Sequence, residues 1–373
     1  MWLLIPRNVG SMSAAHSEAD PPQMIDWDLA VATAKRMMRP GPEVSREEAQ
    51  QVVGDLRQGA EDSTAHVRDY TGLVAQAATA PVVVVDRLGW VQANADGFRH
   101  VLSPLIVKMA EKRPEQHALL TAIGSRVTGV EAGTLLAFLS GKVLGQFDPF
   151  WGDSNGTNQV GRMLLVAPNI VHVERELDVD AADFRLWVCL HEETHRVQFT
   201  AVPWMRDHVR QEITTLVEAT PLDPANIASM LRDGFDRVGK AMRGEGEASL
   251  LDLVQTPEQR AVLDRLTAIM SLLEGHADVV MDGVGPSVIP TVALIRERFQ
   301  ERRQGGSPLD QLLRKLLGLD AKMRQYREGA TFVRGVLDRV DMPGLNAVWT
   351  GPETLPTKDE ITDPAAWVRR VHG

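Results

Sequence analysis

At 373 residues, 44% hydrophobic and 24% charged, the chain is long enough for one large or two ordinary domains, and its composition excludes a disordered or membrane-embedded protein. A formal charge of −10 argues against nucleic-acid partners, which need a basic face for their phosphates. The single cysteine, Cys189, excludes a disulfide framework or multi-cysteine metal site and suits a reducing, cytoplasmic location.

The short apolar run before Pro6 cannot form a signal-peptide core, and Lys142 breaks the longest later apolar run, so no membrane partner is expected. Residues 1–24 read as a disordered tail. From residue 25 the pattern is mainly helical, with amphipathic helices over 28–38 and 45–59 separated by Pro40-Gly41-Pro42. Ser45 with Glu48 three residues on is a capping-box signature. The β-branched run 82–85 fits either a strand or a buried helix segment, and Asp86 is placed to cap a helix carrying Trp90, Val91, Ala95 and Phe98. A Gly-punctuated helix is expected over 116–144. The clearest strand is 162–167, stopped by Pro168-Asn169 and followed by a second short apolar run, 170–173. Asp180 or Asp183 can cap a helix reaching about Thr200. Further helices are expected over 208–219, 224–235, 257–282, 290–303, 309–317 and 320–340, and residues 355–373 read as loop with a short helix after Pro364. The basic run of Arg296, Arg298, Arg302 and Arg303 has Glu297 and Glu301 interleaved, which reads as a solvated helix face. Many helices and few strands predict an α+β, mostly helical fold, with a soft boundary between a helical region, 25–150, and a catalytic region, 151–373.

Within Leu190-His191-Glu192-Glu193-Thr194-His195-Arg196-Val197-Gln198-Phe199, residues 191–195 fit H-E-x-x-H. On a helix, His191 and His195 share a face and can both aim a ring nitrogen at one ion. Glu192, about 100° round the helix, can reach a water on that ion without ligating it, the position of a general base. Phe184, Trp187, Val188, Val197 and Phe199 make the helix apolar, as expected of a buried one.

Catalytic zinc usually takes three protein ligands and leaves one position open. A third histidine six residues after the second would make the chain metzincin-like, but that position is Ala201. The alternative is a carboxylate on a later helix. Glu274 and Asp278 stand four apart on an apolar stretch, an arrangement in which Glu274 ligates and Asp278 hydrogen-bonds a ligand histidine. His276 is the competing third ligand, pointed about 200° from Glu274 by the helix. Gly275 allows close approach of the motif helix.

With HEETHRVQF and SLLEGHADVVMD together, the chain resembles a bacterial family of zincin-like hydrolases known as zinc-dependent metalloproteases, one branch of which is associated with deazaflavin coenzyme biosynthesis. The stretches 85–91, 143–148 and 322–329 are similar as well. The resemblance implies a mostly helical zincin-like fold with a small sheet beside the metal helix. It also implies zinc on His191, His195 and Glu274, and Glu192 as catalytic base. The expected substrate is a peptide or other amide, paired along the edge of the strand at 162–167. Tyr326 is a candidate oxyanion donor, although a structural role is the commoner one for a tyrosine; Arg196 is expected to pair with Glu193. The competing readings are a zinc-stabilised regulatory or scaffold protein with little hydrolytic activity, and helices that pack without metal.

Overall fold

The computed structural model describes residues 25–75, 81–112, 118–152, 161–219, 256–304 and 319–373. Its helices are α1 (Trp27–Met37), α2 (Arg46–Thr71), α3 (Arg87–Lys112), α4 (Ala118–Ser140), α5 (Ala167–Leu177), α6 (Ala181–Thr200), α7 (Pro203–Glu218), α8 (Pro257–Val288), α9 (Val292–Gln304), α10 (Leu319–Leu345), α11 (Lys358–Thr362) and α12 (Pro364–His372). The strands are β1 (Val82–Val85), β2 (Gly145–Asp148) and β3 (Arg162–Val166). The expected segments 1–24, 224–235 and 309–317 lie outside the described residues. Among the described residues, no helix is long and apolar enough to cross a membrane.

The three strands form one sheet in the order β1-β3-β2, with β1 parallel and β2 antiparallel to β3. Because side chains alternate along a strand, β3 feeds two cores. Met163 and Leu165 join the large core with Leu56, Phe184 and Leu190. Leu164 and Val166 join a smaller one with Trp27, Trp90, Val91 and Leu136. β1 and β2 precede residue 150 and β3 follows it, so the sheet spans the expected boundary. In the larger core α6 is packed between α2 and α8, and α10 lies along α8.

Local chemistry accounts for most boundaries. Ser45 caps α2 by accepting from the Glu48 N–H at 3.0 Å. That helix runs a full three turns past residue 59, to Gly72, which takes φ 70° and donates to the Arg68 carbonyl. Asp86 accepts from the Gly89 N–H at 2.6 Å at the start of α3. Thr256 and Gln259 form a reciprocal capping box at the start of α8. Two expectations are corrected and one strand is new. Residues 170–173 belong to α5, because Pro168 occupies the first turn of that helix, where its missing N–H costs nothing. The helix expected after Pro364 is α12, capped by Asp363, whereas residues 358–362, expected as loop, form α11, capped by Thr357. Strand β2 went unforeseen, since Gly-Gln-Phe-Asp has no β-branched residue to announce it.

Candidate metal centre

Helix α6 is fixed at its start by Asp180, whose carboxylate accepts from the Asp183 N–H at 2.9 Å. Asp183 in turn accepts from the backbone N–H and hydroxyl of Thr291, at 2.9 and 2.6 Å. Phe184, Val188, Cys189 and Leu190 are buried along it. Burial pushes the Cys189 thiol upward, with the Glu192 charge adding to the effect. The polar turn at its far end is held from behind by Glu193, fully buried, which pairs with Arg196 at 2.7 Å as expected; Arg196 also donates to Thr64 on α2 at 2.8 Å.

On the opposite side the two motif histidines converge, their Nε2 atoms 3.3 Å apart and their rings perpendicular. Helix α8 brings Glu274 to them, with its Oε2 3.7 Å from His191 Nε2 and 3.6 Å from His195 Nε2. An ion bound tetrahedrally at about 2.0–2.1 Å holds its ligands about 3.3–3.4 Å apart. The triangle of His191, His195 and Glu274 therefore fits one ion, and two imidazoles with a carboxylate are a zinc donor set. Among the described residues no further histidine, cysteine or carboxylate joins that triangle, which leaves the fourth position of a tetrahedral ion to a non-protein ligand.

Glu192 is buried at 6% exposure. Burial raises its carboxyl to about 7, the His195 charge opposes the rise and the Glu274 carboxylate adds to it. For His195, burial lowers basicity, but the Glu274 carboxylate, with Glu192 and the Gln198 hydrogen bond, outweighs it and lifts the imidazole to about 9 without metal. Above Glu192 lies the backbone of Gly145 on β2, so close that a Cβ there would sit 2.5 Å from Glu192 Cγ.

His276 does not face the triangle. Its Nδ1 accepts from Gln198 Nε2 at 3.0 Å, its ring lies edge-on to Trp349, and burial, reinforced by the charge of His195, drives it down to about 3. Asp278 is corrected too: its carboxylate lies 3.7 Å from Arg296 and 3.1 Å from Arg334, half-exposed, drawn outward by two guanidiniums. Gln198 takes the place expected of it at His195, whose Nδ1 donates to Gln198 Oε1 at 3.0 Å. Gly275 allows a close approach, but of α10 rather than α6: a Cβ there would meet Gly329 at 2.1 Å. The strand expected to bind substrate, β3, is central and flanked on both sides; among the described residues, β2 is an edge strand, and it is the one that reaches Glu192. The Tyr326 side chain lies outside the described residues. Gln198 and Gly145 were both missed, although a glutamine between Val197 and Phe199, one turn after a motif histidine, was a visible signal.

A mostly helical chain with a small sheet, carrying H-E-x-x-H on a buried helix and a carboxylate on a second, has the build of a zincin-like hydrolase. The model of the zincin-like metallopeptidases matches residues 25–368, and the chain belongs to that family. It is similar to a solved structure from Chloroflexus aurantiacus described as "a putative hydrolase with a novel fold", at 30% identity, with 93% of this chain and 99% of that one covered and a TM-score of 0.67. No curated protein matches the chain.

Proposed function

We propose that the chain is a zinc-dependent metallopeptidase, in which His191, His195 and Glu274 hold the ion and Glu192 is the general base. One observation carries the reading: three ligand atoms from two helices meet at single-ion spacing beside a buried carboxyl that is not one of them. Bound zinc supplies a Lewis acid that polarises a carbonyl and acidifies water. Glu192 accepts a proton from the attacking water and delivers it to the departing amine. Its burial leaves it more basic than an ordinary carboxylate, close to the value at which one group can both take and return a proton near neutral pH. A cation alongside lowers that basicity.

An extended peptide is the favoured substrate. Among the described residues, strand β2 is paired to β3 on one side only, so its other edge can take a substrate strand through main-chain hydrogen bonds. Gln146 steadies β2 by accepting from Trp90 Nε1 at 2.8 Å. The bare Gly145 backbone lets that edge pass directly above Glu192. Cys189, buried and free, fits a cytoplasmic setting.

A peptide-library digest comparing wild type with Glu192→Gln tests the proposal. Loss of turnover with zinc content unchanged supports it. Equal turnover in the two proteins removes Glu192 from the chemistry, and no turnover by zinc-loaded wild type favours the scaffold reading.

A further inference from the structure

We propose that Gln198 is the positioning residue of the metal centre, fixing the tautomer of His195 and tying together the two helices that carry the ligands. The inference rests on the reading above insofar as His195 and Glu274 share an ion.

The orientation of the Gln198 amide follows from a neighbour with only one possible role. Its Nε2 lies 2.9 Å from the Leu273 carbonyl oxygen, which can only accept. The atom facing Leu273 is therefore the NH2 group, because a flipped amide would press two oxygens together. The same NH2 group lies 3.0 Å from His276 Nδ1, which then accepts its second hydrogen. Both donors being used, the amide oxygen is what faces His195 Nδ1 at 3.0 Å. An oxygen there requires a proton on that nitrogen, so His195 is held as the Nδ1–H form and its Nε2 lone pair points toward His191 and Glu274. The tautomer of a ligand is thus set by a backbone carbonyl on another helix.

The connection is also mechanical. Leu273 immediately precedes Glu274, so Gln198 bonds α6, one turn past His195, to α8 at its ligand. Gln198 and His276 are both fully buried, so water is not at hand to replace a lost bond, and the cost of an unmade one falls on the network itself. An amide suits the place better than a carboxylate. Glu192 and Glu274 already bring two negative charges to the site, which balance a divalent cation, and a third would have no partner.

The experiment is zinc affinity of the full chain, measured by competition with a chromophoric chelator, for wild type, Gln198→Leu and Gln198→Glu. Gln198→Leu removes the acceptor and is expected to weaken zinc binding about 10–100-fold. Gln198→Glu keeps an acceptor for His195 but sets a carboxylate oxygen against the Leu273 carbonyl and His276 Nδ1, so it is expected to weaken zinc binding by about tenfold or more while keeping the proton on His195 Nδ1. A spectroscopic reading separates positioning from bulk structure. In zinc-loaded protein with 15N-labelled histidine, wild type should show a protected low-field His195 Nδ1–H, retained in Gln198→Glu and lost to exchange in Gln198→Leu. If Gln198→Leu does not fold, Gln198→Asn, one methylene too short to bridge, takes its place with the same expected loss. Binding by the Leu or Asn variant within threefold of a zinc-binding wild type overturns this inference alone, as does ligation of zinc through His195 Nδ1. Wild type without zinc overturns it together with the metallopeptidase reading.

Discussion

Replacing Gly145 with alanine separates catalysis from metal binding. The new Cβ would lie 2.5 Å from Glu192 Cγ and 2.7 Å from its Cδ and Oε1. Carbon atoms rest at about 3.5–4.0 Å, so the carboxylate must retreat by about 1 Å or β2 must lift by as much. Misplacement of a catalytic group on that scale costs on the order of 100-fold in rate, about 2.7 kcal/mol of barrier. The three atoms nearest the new Cβ all belong to Glu192, so the clash falls first on the base and not on His191, His195 or Glu274. The assay is kcat/KM on a peptide found by library digestion, paired with zinc analysis of the same preparation. We expect a fall of about 100-fold with one zinc per chain retained. Turnover within about threefold of wild type would refute the placement of Glu192 under the β2 edge. Loss of zinc in step with activity would refute the separation of base from ligands.

Other consequences are measurable without a substrate. His195 titrates near 9 in metal-free protein, above its ordinary 6.5. Its ion pair with Glu274 therefore stabilises the metal-free fold fully below pH 6.5 and fades as pH rises through 9. Zinc must displace that proton, so apparent zinc affinity should climb about tenfold per pH unit from 7 to 9, about 1.4 kcal/mol each, and level off above; a flat profile in chelator competition contradicts this. Arg185→Ala strands buried Glu174, whose oxygens it holds at 2.9 and 2.6 Å, and should cost about 3–5 kcal/mol in denaturant unfolding with zinc content unchanged. Gly275→Ala drives a Cβ to 2.1 Å from Gly329 and should lower the melting temperature by prising α8 from α10; an unchanged melt would contradict that contact. Removing zinc with a chelator should destabilise the protein by about 4 kcal/mol relative to zinc at a thousandfold excess over its dissociation constant, seen as a lower melting temperature.

Much of this was readable in the chain, for reasons that differ by residue. His191, Glu192 and His195 lie within one helical turn, and a local spacing survives any tertiary arrangement. Glu274 was legible because a carboxylate on so apolar a helix requires a partner. The neighbouring residues failed where three-dimensional competition decides. Asp278 shares a face with Glu274, but Arg296 on α9 and Arg334 on α10 claim it, and neither helix's position is written in the spacing of the other. Gly275 announced a close contact without saying with which helix. The order of the sheet was equally hidden: 162–167 was the strongest strand signal because it is buried on both faces, and a strand so buried is central, not the edge that receives a substrate. Gln198 could be seen, but its meaning depends on Leu273 and His276, some 75 residues away.

The most direct test of the central claim is metal analysis of protein purified without added zinc, alongside His195→Ala and Glu274→Ala. The account predicts one zinc per wild-type chain, with binding lost or severely weakened in both variants. Wild type without stoichiometric metal, or variants that keep it in full, would contradict it.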